Sequence, residues 1–83
     1  MSKQTLPKWF TGELYEKGET VSNRFSGEEI ELTAVELSMY DFVMGASIML
    51  EMGIMSEFTS KDLKKGLEWF RKNNSKAYMT LLD

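Results

Sequence analysis

The stretch from Thr33 to Gly53, TAVELSMYDFVMGASIMLEMG, constrains this chain more than any other. Thr33 followed by Glu36 is a capping-box pattern, in which each side chain accepts from a backbone N–H that a helix start leaves unpaired. Gly53 suits the left-handed residue that ends a helix. Between them lie no proline, one internal glycine (Gly45) and many Leu, Met, Ala and Glu, which lose little rotamer freedom in a helix. The pattern predicts one long helix. At about 100° per residue its polar side, Glu36, Tyr40, Ser47 and Glu51, fills a sector of roughly 60°. Val35, Leu37, Met39, Phe42, Val43, Ala46, Ile48 and Leu50 take most of the rest, so the helix needs cover on several sides.

A chain of 83 residues reads as a single small domain over residues 1–83. Such a domain buries only about 60–65% of its unfolded-chain surface. The other elements are therefore expected to leave part of the helix bare, and self-association is the simplest cover. Gly45, Ala46 and Ser47 are small enough to let a second helix approach, and the expected homodimer interface is Met39, Phe42, Gly45, Ala46 and Met49. Met39, Met44, Met49, Met52 and Met55 scatter around the circumference, which reads as packing and not as a pliable groove for varied targets. Glu36, Asp41 and Glu51 interrupt the apolar run, whereas a membrane span needs about 20 apolar residues. A soluble chain without a membrane partner is expected.

Asp41 projects to a side otherwise suited to burial. A buried carboxylate needs a partner, and Arg24, the Trp69 indole and the Tyr78 hydroxyl are the candidates for a structural tie. A functional carboxylate and simple exposure are the other readings.

Before the central helix, Pro7 can open a helical turn, and Leu6, Phe10 and Leu14 recur every four residues. A short helix from Pro7 to about Glu16, closed by Gly18, is expected, with a strand over Glu13 to Glu16 as its rival. Trp9 and Phe10 read as anchors onto the central helix. From Glu19 to Leu32 the period becomes two, around Asn23-Arg24-Phe25-Ser26-Gly27, which predicts a β-hairpin with a turn started by Asn and finished by a left-handed Gly.

After a linker from Ile54 to Phe58, Thr59 or Ser60 is expected to cap a helix with Asp62 in its first turn. Leu63, Leu67 and Phe70, with Trp69 at the flank, form its apolar face; Lys61, Lys64, Lys65, Glu68, Arg71 and Lys72 fill the other. Asn73-Asn74 reads as a left-handed stop, and Ser75 as the cap of a last helix, Lys76 to Leu82, with Ala77, Tyr78, Leu81 and Leu82 inward. The fold class expected is α+β: one β-hairpin packed with a long central helix and two C-terminal helices.

The chemistry available is narrow. The chain has neither cysteine nor histidine, so disulfides, thiolate catalysis and cysteine-ligated metals are excluded and the commonest general base is missing. No cofactor and no catalytic motif is read. A carboxylate-only enzyme would have to use Asp41 or Glu36 beside Tyr40. Glu28, Glu29, Glu31 and Glu36 lack the spacing of a calcium loop and read as a solvated face. Residues 1–58 carry four basic and ten acidic side chains, residues 59–83 six and three, for a net charge of −3. The basic end offers an alternative function, a nucleic-acid accessory protein with Lys61, Lys64, Lys65, Arg71 and Lys72 on phosphates. Glu68 in the midst of these cations and the acidic whole weigh against it. No apolar signal core precedes Pro7, and with the missing cysteines this fits a cytoplasmic location.

Two blocks, NRFSGEEIELTAVELSMYDFVMGA and GLEWFRKNNSKAYMTLLD, resemble small uncharacterised proteins encoded by tailed phages of marine cyanobacteria. Together they cover about half the chain. The resemblance implies action in the cytoplasm of an infected host or in virion assembly, and it brings no catalytic or binding residues with it. The leading expectation is a non-catalytic interaction protein that forms a homodimer through the central helix, with a further protein partner left open.

Overall fold

The computed structural model describes residues 5–10, 12–23, 25–53 and 57–82, and at 57–59 the backbone only. Its elements are β1 (Glu19–Ser22), β2 (Glu29–Leu32), α1 (Ala34–Glu51), α2 (Glu57–Asn73) and α3 (Ser75–Ala77), which runs into a π-helical turn, Tyr78–Leu82. The α+β architecture expected from the sequence is present: one antiparallel hairpin on a long helix, with the C-terminal helices packed against it.

The capping box forms as the sequence implies. The Glu36 N–H donates to Thr33 Oγ1 at 3.2 Å and the Thr33 N–H to Glu36 Oε1 at 2.9 Å. At the far end the helix closes at Glu51, Met52 is its C-cap and Gly53 follows with φ +81. Which side faces inward is a different matter. Leu37, Met39, Val43 and Ala46 are buried, and so is Glu36, expected on the polar side. Asp41, expected inside, is exposed.

The hairpin pairs Glu19 with Leu32, Thr20 with Glu31, Val21 with Ile30 and Ser22 with Glu29. Val21, Ile30 and the buried Leu32 therefore share the face that packs on the core, and Glu29 and Glu31 face solvent. At the turn, Asn23 Oδ1 accepts from the N–H groups of Phe25 and Ser26, and Gly27 adopts φ +79, which an L side chain rarely does. A two-stranded sheet is marginal alone, and it is fastened at its tip. Asn23 Nδ2 donates to the Thr80 carbonyl at 2.8 Å, one of the last-turn acceptors that a helix leaves unpaired.

Phe70, Met39, Val43, Leu32, Leu37 and Ala77 form one contiguous core, with α2 lying across α1. Their crossing is close because of Gly66: a Cβ there would run into the Val43 side chain and stand 3.5 Å from Met39 Sδ. Met39 is thus covered within its own chain and is unavailable to a dimer interface, which corrects its place among the five expected.

Three further expectations are corrected. Of residues 7–16, the described ones (7–10 and 12–16) lie in neither a helix nor a strand: the Phe10 N–H closes a single turn on the Pro7 carbonyl, and 12–16 run as an irregular strap. Its ring contacts decide this. Phe10 and Trp9 both reach Phe42, at centroid separations of 5.1 and 6.0 Å, leaving Leu14 exposed where a regular helix would have aligned it with Phe10. The strap does anchor on the central helix through Trp9 and Phe10, as their spacing suggested.

Helix α2 already begins at Glu57, so Thr59 and Ser60 lie within it and neither is its cap; the linker expected from Ile54 to Phe58 shortens, and its residues 54–56, with Met55, lie outside the described residues. Asn74 is no left-handed stop, having φ −155. Its Oδ1 instead accepts from the Ala77 N–H and caps α3 one residue before Ser75.

Candidate functional site

An apolar surface is left open on the outer side of α1. Asp41, Gly45, Ile48, Met49 and Met52 follow one another at helical spacings, so they share one face. Ile48 is 46% exposed, Met49 41% and Met52 70%. Among the described residues, nothing beyond its chain neighbours and the helix's own backbone lies within 4 Å of where a Gly45 Cβ would be. A cleft of ≈ 340 Å³ beside the glycine is lined by Phe42, Ala46, Met49, Asp41 and Asp62, giving an apolar floor between two carboxylates. Of the five residues expected at an interface, Gly45 and Met49 are open, Phe42 is half-covered by Trp9 and Phe10, and Ala46 and Met39 are buried. Ile48 and Met52 belong to the same face. Their exposure depends on which side α2 occupies, and an angular count on α1 alone does not carry that information.

Asp41 sits at the rim of this cleft. It meets the Tyr15 hydroxyl, which was not among the three considered; of those, the Trp69 indole N–H donates to the Thr5 carbonyl at 3.3 Å, and Arg24 lies outside the described residues. The strap brings Tyr15 there, its N–H donating to Ser38 Oγ at 3.0 Å. Partial burial first, and then the Asp41 carboxylate, raise the Tyr15 hydroxyl above its ordinary pKa of 10.0. Glu36, the other carboxylate considered for chemistry, holds the helix start with Oε1 and accepts from Asn74 Nδ2 at 2.9 Å with Oε2. Among the described residues no group of three Asp or Glu side chains is placed to hold a metal ion, and no helix is long and apolar enough to cross a membrane.

The five cations considered for phosphate contact, Lys61, Lys64, Lys65, Arg71 and Lys72, are all exposed, but they do not converge on one point. Lys64 and Arg71 flank Leu67 and Tyr78; Lys65 and Lys72 open instead onto a cleft of ≈ 210 Å³ between Trp9 and Trp69. Glu68 borders both. Lys65 Nζ lies 5.6 Å from the centre of the Trp9 ring. That Trp9 would stand beside this helix was not legible, because 56 positions separate it from Lys65.

No protein-family model matches the chain, and no curated protein and no solved structure matches it.

Proposed function

We propose that this chain is a non-catalytic interaction protein that forms a homodimer by crossing the α1 helices of two copies at Gly45. The carrying observation is the open glycine at the middle of an exposed apolar stripe. Apolar stripes on small domains mark association surfaces more often than accidents of packing, and a glycine lets two helix backbones approach where a larger side chain would hold them apart.

The charges select the direction. A parallel crossing sets Asp41 against the partner's Asp41. An antiparallel crossing sets each Asp41 near the partner's Met49 and separates the two carboxylates by about 12 Å along the axis, at about 1.5 Å per residue. The dimer is therefore antiparallel and two-fold symmetric, with Gly45 on the axis. In keeping with the resemblance to small phage-encoded proteins, its setting is the cytoplasm of an infected host or the assembly of a virion.

Because the chain has no cysteine, the crossing can be tested with a single introduced thiol. Gly45→Cys should be cross-linked between copies by mild oxidation, since a disulfide requires Cα atoms within about 7 Å. Thr20→Cys, on the exposed face of the hairpin, should remain uncoupled at the same protein concentration. Equal, slow coupling of the two variants would contradict a crossing at Gly45.

A further inference from the structure

The cleft between Trp9 and Trp69 brings together, on an acidic protein, two indole rings and two exposed cations. Helix α2 supplies Trp69, Lys65 and Lys72, and the N-terminal strap lays Trp9 alongside them. Lys65 and Lys72 are seven residues apart, about two turns, so they stand on one edge of α2 and can follow a line of negative charge. Both ammonium groups are exposed, and both indoles are partly so.

We propose that this cleft binds single-stranded nucleic acid, with a base stacked on indole and the neighbouring phosphates held by Lys65 and Lys72. A positive groove with aromatic platforms is the arrangement by which unpaired strands are held without sequence preference. An acidic peptide or sulfated sugar would meet the cations but has no flat π face for the indoles. A duplex keeps its base faces stacked inside. The Lys65 ammonium over the Trp9 ring does not block the site: at an exposed position such a contact is weak, and a phosphate offers a full charge in exchange. Glu68, between the two lysines, opposes the strand and sets the affinity low. This inference is independent of the dimer: it concerns other residues and survives a monomeric chain.

The test is quenching of tryptophan fluorescence by an oligothymidylate of about 12 nucleotides, within the usual range of such sites, with inorganic polyphosphate as the charge-only control. Saturable quenching is expected with the oligonucleotide and not with polyphosphate. Two phosphate contacts to a single strand predict a fall in affinity of about seven-fold between 50 and 200 mM salt, from a slope of about −0.7 per contact. The exposed variant Lys65→Glu/Lys72→Glu should abolish quenching, and Glu68→Gln should tighten binding. The absence of quenching at low salt would overturn the proposal. So would full displacement by polyphosphate at equal charge, which would reveal a charge-only surface, or indifference to Glu68→Gln.

Discussion

The Glu36 carboxylate and the Asn74 side-chain amide meet at 2.9 Å across 38 positions of chain, joining the first turn of α1 to the junction of α2 and α3. The same two side chains hold helix starts on either side of the contact. Glu36 accepts from Thr33 N–H, and Asn74 from Ala77 N–H. Burial of Glu36 at 4% exposure is tolerable because both of its oxygens have donors.

Replacing Asn74 should therefore be costly in an order that reports the contact. Asn74→Ala loses a cap, about 1 kcal/mol, and a hydrogen bond to a charged group, about 1.5–3 kcal/mol. Asn74→Asp keeps the cap acceptor but sets carboxylate against carboxylate and should destabilise at least as much. Urea denaturation of the three proteins checks this. Recovery of wild-type stability by Asn74→Asp would mean that only the cap matters.

At the crossing of α1 and α2, Gly66→Ala should lower stability although alanine is the better helix former. Overpacking against Val43 costs about 1–3 kcal/mol and the gain in propensity offsets about 1 kcal/mol, leaving a net loss of up to about 2 kcal/mol, toward the upper end because the Cβ would run directly into the Val43 side chain. Val43→Ala in the same chain should return part of that loss, so the two changes will be non-additive. Simple addition of their denaturation free energies would show that the helices do not touch there.

Asn23 serves the hairpin turn and the C-terminal turn at once, through its Oδ1 and its Nδ2. Asn23→Asp retains the turn acceptor and loses the donor to Thr80. It should cost about 1 kcal/mol and raise hydrogen exchange in residues 78–82 more than in the strands. Uniform change across both would contradict a local tie.

The raised pKa of Tyr15 means that folding prefers the neutral phenol. The stabilisation is complete below the ordinary value of 10.0 and is lost as pH rises through the higher value of the folded state. Asp41→Asn removes the second of its causes, so the Tyr15 phenol should titrate nearer its ordinary value while partial burial still holds it above. Ultraviolet titration of the wild type and the variant follows this ionisation, and an unmoved midpoint would separate Tyr15 from Asp41.

Local signals in the sequence carried far, and contacts between distant residues carried the remainder. Thr33, Glu36, Gly53, Asn23 and Gly27 act on backbone within a few positions of themselves, and each does what its type and spacing imply. The inward face of α1 was misread at Glu36 and Asp41, because it is set by α2 and by Asn74 far along the chain. Likewise, the spacing of Leu6, Phe10 and Leu14 imitates a helix, but Trp9 and Phe10 packing on Phe42 holds the strap irregular. The candidate face was legible in Gly45 and Met49. Met39 was misassigned to it for want of the knowledge that Gly66 brings α2 down upon it, and Ala46 reaches that face only as a buried residue at the wall of the cleft.

The most direct test of the proposed dimer is sedimentation equilibrium over a hundred-fold range of concentration, for the wild type and for Gly45→Leu. Open space at Gly45 means that the leucine should leave the fold intact and favour the helix by up to about 1 kcal/mol. The account predicts a wild type of twice the chain mass, 9.6 kDa, and a variant that stays folded yet is shifted toward monomer. A wild type that remains monomeric throughout, or a variant that associates as tightly as the wild type, would contradict it.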